Sequence, residues 1–204
     1  MNKDIIEKTK NFVREKLLGE ATGHDYWHIE RVYNLACNIA LKEGADLFVV
    51  SLAALLHDIA DHKFYNGDSQ VGGNVTREWL KQLSVSDEII NHVAHIVETI
   101  SFKGGTNKEK QNTIEGKVVQ DADRLDAIGA IGIARAFAYG GNKNREIYNP
   151  EIKPETYDKY EDYAKKQNHT INHFYEKLLL LKDLMNTETG KTIALQRHQF
   201  MEYY

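Results

Sequence analysis

The stretch Ser51–His62 reads SLAALLHDIADH and changes character halfway along. Its first half is small or apolar, whereas its second half contains two histidines and two aspartates, namely His57, Asp58, Asp61 and His62. Buried carboxylates are costly unless they are paired or bound to a metal. The pattern therefore predicts a buried helix that delivers ligand side chains to one point, with the rest of the chain built around it.

The composition fits a soluble globular protein and excludes several functional classes. The chain has 204 residues, of which 42% are hydrophobic and 27% charged, and this length suits one domain. A net charge of -4 gives no general attraction to nucleic acids, so we expect no nucleic-acid partner. Cys37 is the single cysteine and rules out an intramolecular disulfide. Without a signal-like N-terminus or a run of ~18 apolar residues, we expect no membrane partner and a cytoplasmic location.

Helical periodicity runs through nearly the whole chain, and no credible β-hairpin interrupts it. Asp25 and Gly44 bracket an amphipathic stretch, because aspartate favours the start of a helix and glycine its end. Asp46 has the same capping role for the helix that contains the quoted apolar segment. We predict an all-α fold with helices at about 5–17, 26–43, 47–60, 69–83, 89–99, 113–137, 157–166, 170–184 and 191–201, and loops at 103–112 and 140–156.

A second informative stretch is 121–132, DADRLDAIGAIG. Asp123 and Asp126 share a helical face with the small residues that follow them, and small side chains let a helix approach another element closely. Two arginines, Arg124 and Arg135, either pair with nearby carboxylates or meet phosphate. We expect this face to carry a functional carboxylate within the predicted long helix 113–137.

The order of these residues resembles that of a known family. His28, the pair His57–Asp58 and Asp123 follow the H…HD…D order of the HD-domain metal-dependent phosphohydrolases. The flanks GHDYWHIERV, LLHDIADHKF and VVQDADRLDAIGAIGIAR support the likeness, which extends to INHFYEKLLLLKDLMNT near the C-terminus. It thus covers most of the chain, and it is similar to the small stand-alone bacterial members.

The resemblance implies a single HD-type helical bundle over residues 1–204. Its metal-binding core would span about 20–137, with C-terminal helices in 157–204 packing on that core. The implied ligands of a divalent ion are His28, His57, Asp58 and Asp123. Two imidazoles and two carboxylates suit Mn²⁺, Mg²⁺, Fe²⁺, Co²⁺ or Ni²⁺, and no nearby cysteine favours a thiolate zinc site.

The resemblance also assigns roles beyond the metal ligands. It implies that Asp61 handles protons or orients the attacking water and that His62 supports it. His24 could hold a leaving-group oxygen, although the Asp25 cap argues against its lying on the same regular helix turn as His28. The remaining candidates are substrate-facing, with a structural role or carboxylate pairing as the alternative for some: His92, His95, Arg124, His173, Lys177 and Arg197.

Several functions fit this pattern. The leading one is hydrolysis of phosphate ester or anhydride bonds of small-molecule nucleotides, with cleavage of a nucleoside triphosphate to a monophosphate and pyrophosphate as one outcome. The alternatives are a 5'-nucleotidase acting on nucleoside monophosphates, a metal- and nucleotide-binding module without turnover, and a structural helical protein with a stabilising ion. The sequence leaves the oligomeric state open, with a homodimer as one option.

Replacing Asp61 by asparagine tests the proton-transfer role, because the substitution keeps the size and removes the titrating group. We expect normal metal content and melting temperature but a kcat lowered by ~10²–10⁴-fold, the usual contribution of a positioned acid–base group. Steady-state kinetics at saturating metal give the answer. A wild-type rate would make Asp61 a surface acid and direct the same test to His24 or His62.

Overall fold

The computed structural model describes residues 2–19, 25–59, 70–100, 111–155 and 168–204. Every regular element in these ranges is helical, which confirms the all-α prediction. None of these described helices is long and apolar enough to cross a membrane. The predicted helix 157–166 and most of the loop 103–112 lie outside the described residues. The elements are α1 (Asn2–Leu17), α2 (Tyr26–Glu43), α3 (Leu47–Leu56), α4 (Gln70–Gln82), α5 (Asp87–Thr99), α6 (Ile114–Asp126), α7 (Gly129–Asn142), α8 (Thr170–Glu176), a 3-10 helix (Leu178–Leu184) and α9 (Glu188–Tyr203).

Local capping sets the limits of α2, which has the bounds that the sequence predicted. The Asp25 side chain accepts a hydrogen bond of 2.8 Å from the backbone N–H of His28 and so satisfies one of the unpaired donors of the first turn. At the other end Gly44 adopts a φ of 72°, in the left-handed region, and its N–H bonds to the carbonyl of Ala40.

Helix α3 lies at the centre of an N-terminal unit formed by the described residues up to 100 together with 111–122. It packs against α1, α2 and α5, and all of its residues from Val49 to Leu56 are buried. Removing one such leucine side chain typically costs about 2–5 kcal/mol, so packing, rather than propensity, holds this short helix. Asp46 caps it through bonds to the N–H groups of Phe48 and Val49.

The outer helices α1 and α4 of this unit meet through aromatic side chains. The rings of Phe12 and Trp79 stack with centroids 4.1 Å apart, and the indole N–H of Trp79 donates to the hydroxyl of Thr9. The indole is therefore half-buried and has both an apolar and a polar partner, as large amphipathic rings usually require.

The predicted long helix 113–137 is wrong, because the chain breaks between α6 and α7. The N–H groups of Ala127 and Ile128 bond to carbonyls three residues earlier, which tightens and ends α6. Gly129 then adopts a φ of 77°. This conformation favours glycine, and a Cβ there would also lie 3.1 Å from Cγ of Arg197, so a side chain would require the Arg197 stem to shift slightly.

A C-terminal unit contains the described residues from 123 onward. In it α9 packs against α7 and the 3-10 helix, and α8 packs against the same two elements. The expected single helix 170–184 is only partly right: Lys177 leaves the helical region with a φ of -141°, and the following residues form the 3-10 helix. Thr187 caps α9 by accepting from the N–H of Gly190. The expectation of one domain stays a prediction.

Two alanine substitutions separate the two requirements at the α6–α7 break. Gly44 has nearly the same φ as Gly129, but no atom lies within 4 Å of the point that a Cβ would occupy. Gly44→Ala therefore costs only the left-handed conformation, about 1–2 kcal/mol. Gly129→Ala must also displace the Arg197 stem, and overpacking typically adds about 1–3 kcal/mol. We expect the larger loss of unfolding free energy for Gly129→Ala in denaturant titrations. Equal losses would show that the Arg197 contact adds nothing.

Candidate metal centre

Three side-chain donors of the N-terminal unit meet in a small triangle. Nε2 of His28 lies 3.3 Å from Nε2 of His57, and Oδ2 of Asp58 lies 3.5 Å from the first nitrogen and 3.6 Å from the second. The two imidazoles are almost fully shielded from solvent, whereas the Asp58 side chain keeps 15% of its surface exposed. The donors thus lie at the rim of the core with one open side.

The protonation of the His57 ring follows from its hydrogen bond. Nδ1 of His57 lies 2.8 Å from the backbone carbonyl of Ala54, and because a carbonyl only accepts, Nδ1 must carry the proton. In the neutral tautomer Nε2 then carries no proton, and its lone pair points into the triangle, where Nε2 of His28 lies 3.3 Å away. A backbone carbonyl that orients a histidine in this way is the usual outer partner of a metal ligand.

His28 reaches the triangle because of the start of α2. The Asp25 cap fixes the first helical turn through the N–H of His28 itself, and the His28 side chain then points into the core. The neighbouring residue Trp27 points the other way and is 55% exposed. Local capping therefore decides which of the two rings in this turn is buried.

The donor set fits a divalent cation. Metal–ligand bonds of about 2.1 Å place neighbouring donors of a tetrahedral or octahedral ion roughly 3.0–3.4 Å apart, and the observed separations are close to that range. His57 and Asp58 also follow the C-terminus of α3, where the helix dipole favours positive charge. His28, His57 and Asp58 form the group with metal-ligand spacing among the described residues.

The other residues predicted for this site are not among the three donors of the triangle, and their roles stay predictions. Asp123 lies in the last turn of α6, is half-buried, and its assignment as the fourth ligand stays a prediction. Asp61, His62 and His24 lie outside the described residues, so their roles stay predictions as well.

His92 belongs to a hydrogen-bonded group away from the triangle. Its Nε2 lies 3.1 Å from the hydroxyl of Thr113 and 3.8 Å from a carboxylate oxygen of Glu115. The other Glu115 oxygen accepts from the backbone N–H of Asp46, the cap of α3. These contacts give His92 a structural function that links α5, α6 and the start of α3. His95, one turn later, is exposed, and contact of either histidine with substrate stays a prediction.

His173 of the C-terminal unit lies in a positive environment. Burial, with the nearby charges of Lys177 and Arg145, lowers the pKa of His173 to about 3. The imidazole is therefore neutral near pH 7, and any phosphate contact it makes is a neutral hydrogen bond. The sequence reasoning missed Arg145. The loop that carries it is held against α8 by the bond from the Thr170 N–H to the Glu146 carbonyl, a long-range contact with no local signal.

Two arginines that were predicted to face substrate, Arg124 and Arg197, donate hydrogen bonds to backbone carbonyls. Arg124 donates to the carbonyl of Leu184. Arg197 donates to the carbonyl of Leu125, with a donor–acceptor distance of 2.5 Å. Burial lowers the pKa of Arg197, and the nearby Asp126 carboxylate opposes that effect. Their predicted contact with phosphate is untested, but both have a defined role at the ends of helices.

The described part of the chain thus combines helical elements with a triangle of donors that could hold a metal ion. The HD domain family model matches residues 26–128. The Bacillus subtilis (strain 168) protein YpgQ is 41% identical over 196 residues, which cover 96% of this chain and 87% of YpgQ. The chain therefore belongs to the HD domain family, as the resemblance of its motifs predicted.

Solved structures agree with this assignment. The crystal structure of an HD-superfamily hydrolase from Bacillus thuringiensis is 45% identical, with a TM-score of 0.78 over 100% of this chain and 94% of that one. The crystal structure of Bacillus subtilis YpgQ in complex with ADP is 38% identical, with a TM-score of 0.76 over 98% of this chain and 93% of that one. The protein is an HD-superfamily metal-dependent phosphohydrolase.

Removal of one donor should abolish metal binding at the triangle. We expect Asp58→Ala and His57→Ala to lose the divalent ion and all activity above background, because the remaining donors cannot complete the coordination. Elemental analysis of the purified variants measures the metal content. The exposed Asp4 provides the control, since Asp4→Ala removes a carboxylate elsewhere and should keep the wild-type content. A full equivalent of metal in Asp58→Ala would contradict the ligand assignment.

Proposed function

We propose that the protein hydrolyses phosphate anhydride bonds of nucleotides, converting a nucleoside triphosphate and water to a nucleoside monophosphate and pyrophosphate. The observation that carries this proposal is the triangle of donors formed by His28, His57 and Asp58. Such a site suits an ion that binds phosphate oxygens.

The ion is held by these three residues and, in this proposal, by Asp123 as the fourth ligand. Mn²⁺, Mg²⁺, Fe²⁺, Co²⁺ and Ni²⁺ all accept such a mixed set of imidazole and carboxylate donors. When bound, the ion supplies a Lewis acid for a phosphoryl oxygen and lowers the pKa of coordinated water. The pairing of His57 Nδ1 with the Ala54 carbonyl supports this assignment, because it keeps Nε2 available without any rearrangement.

The substrate class rests on a relative. YpgQ has been crystallised in complex with ADP. A nucleoside diphosphate presents the same kinds of group as a triphosphate, namely a base, a ribose and charged phosphates. Because YpgQ is 38% identical to this chain, we propose that this chain binds the same chemical class of ligand. We therefore assign a small-molecule nucleotide as the partner of this chain.

The C-terminal unit has its own candidate group for a phosphate contact. Lys177 and Arg145 both act on His173, so a neutral imidazole and two positive charges lie near one another. Phosphate oxygens accept hydrogen bonds from all three groups, and charge-assisted bonds are the stronger ones. In this proposal Lys177 and Arg145 bind phosphate charge, while His173 donates or accepts one neutral hydrogen bond.

The remaining roles in this proposal follow the family resemblance. The oxygen of water forms a bond to the α-phosphorus, and the bond from that phosphorus to the bridging oxygen breaks. Asp61 takes the proton of the attacking water, His62 supports Asp61, and His24 holds the leaving-group oxygen. The alternatives are release of phosphate from a nucleoside monophosphate and binding without turnover.

A nucleotide panel distinguishes these functions. Mono-, di- and triphosphates are incubated with the metal-loaded protein under Mn²⁺, Mg²⁺, Co²⁺ and Ni²⁺, and the products are identified by mass. We expect monophosphate and pyrophosphate from triphosphates, and no product from Asp58→Ala under the same conditions. Phosphate released from monophosphates would establish the nucleotidase alternative. Metal and nucleotide binding without any product would establish the non-catalytic one.

A further inference from the structure

The end of α6 is held by charged side chains from two other helices. Arg197 of α9 donates to the carbonyl of Leu125, with a donor–acceptor distance of 2.5 Å. Arg135 of α7 donates to the carboxylate of Asp126 at a donor–acceptor distance of 2.9 Å and to the carbonyl of the same residue at 3.3 Å. The Asp126 side chain is almost fully buried and also acts electrostatically on Arg197. We call Asp126, Arg135 and Arg197 the arginine–aspartate cluster.

The backbone after α6 is shaped to accept this cluster. Gly129 has no side chain, and its left-handed conformation turns the chain away, so the aliphatic part of Arg197 crosses directly over it. The carbonyl of Ala127 approaches Gly132 so closely that a Cβ there would collide with it. Gly129 therefore lets the Arg197 stem pass close to the backbone, and Gly132 lets the Ala127 carbonyl approach α7.

We propose that the arginine–aspartate cluster positions the carboxylate of Asp123 for metal binding, an inference that rests on the proposed role of Asp123 as a ligand. Asp123 precedes Asp126 by three residues and lies in the same final turn of α6. Helix ends fray because their last carbonyls have no intrahelical partner. Arg135 supplies a donor to the Asp126 carbonyl, and Arg197 adds a second donor to the Leu125 carbonyl, which also accepts from the Ile128 N–H. These bonds from outside the helix fix the rotation and position of the turn.

The cost of losing the cluster should appear in metal affinity. A ligand that is free to fray must be ordered when the ion binds, so its binding free energy is reduced without any change in the ligand itself. Removing residues that orient metal ligands typically weakens metal affinity about 10–100-fold. A purely structural cluster would instead lower the melting temperature and leave the affinity unchanged.

The test compares metal affinity and stability in the same variants. The Kd for Mn²⁺ is measured by calorimetric titration of metal-stripped protein, together with the melting temperature. We expect Asp126→Asn and Arg197→Met to weaken Mn²⁺ binding about 10–100-fold. Arg197→Lys should recover most of the affinity, because a lysine keeps the aliphatic stem and one donor for the Leu125 carbonyl.

The control variant is Thr187→Ala, which removes the cap of α9 at a cost of about 1 kcal/mol and touches no member of the cluster. It should lower the melting temperature without changing the Kd. Wild-type affinity in both Asp126→Asn and Arg197→Met would overturn the proposal, as would an equal loss of affinity in Thr187→Ala. Asp123→Asn distinguishes failure of the ligand assignment from failure of the positioning role. Wild-type Mn²⁺ affinity in Asp123→Asn would contradict both the ligand assignment and the positioning role. Weakened Mn²⁺ binding in Asp123→Asn, with wild-type binding in the cluster variants, would contradict the positioning role alone.

Discussion

Burial of α3 is the constraint on which the N-terminal unit depends. A ten-residue helix is too short to be stable alone, so it persists because its residues from Val49 to Leu56 are buried and it packs against three neighbouring helices. The same burial shields the last carbonyls of α3 from water, and the Nδ1–H group of His57 donates a hydrogen bond to one of them, the carbonyl of Ala54. The bond that completes the helix is therefore also the bond that directs the opposite ring nitrogen toward Asp58 and His28.

This double role of one bond bears on how far the candidate metal centre could be predicted: the resemblance implied His28, His57 and Asp58 as ligands, and the structure brings these three donors together. The apolar run, the two caps and the adjacent His57–Asp58 pair are all local, and each has a direct structural consequence. Asp25 and Gly44 fix the limits of α2, which in turn fixes where His28 points. The bounds of α2 were predicted correctly because this short segment of sequence contains both the capping residues and the helix that they limit.

The break after α6 shows where local reasoning stops. Helical spacing continues from Asp126 through the alanines of α7, so periodicity alone favours one long helix. The chain turns at Gly129, whose left-handed conformation favours glycine and whose Cα lies against the stem of Arg197, almost 70 residues later. The position of Arg145 near His173 has the same origin in a loop contact that no local pattern encodes.

The arginines also illustrate how one cation can be assigned two functions. A guanidinium has five donors, so binding one carbonyl leaves others for a neighbouring carboxylate or anion. Sequence patterns indicate only that positive charge is present. In the C-terminal unit the structure shows that Arg124 and Arg197 complete the ends of other elements.

The contrast between the two indoles of the chain has a practical consequence for spectroscopy. Trp79 is stacked on Phe12 and hydrogen-bonded to Thr9, whereas Trp27 faces solvent in the residue before His28. The exposed indole should emit at longer wavelength and be quenched by acrylamide, while the stacked one is shielded. The emission that acrylamide quenches therefore reports mainly on a natural fluorophore attached to the first turn of α2, and no label has to be introduced to follow events at its neighbour.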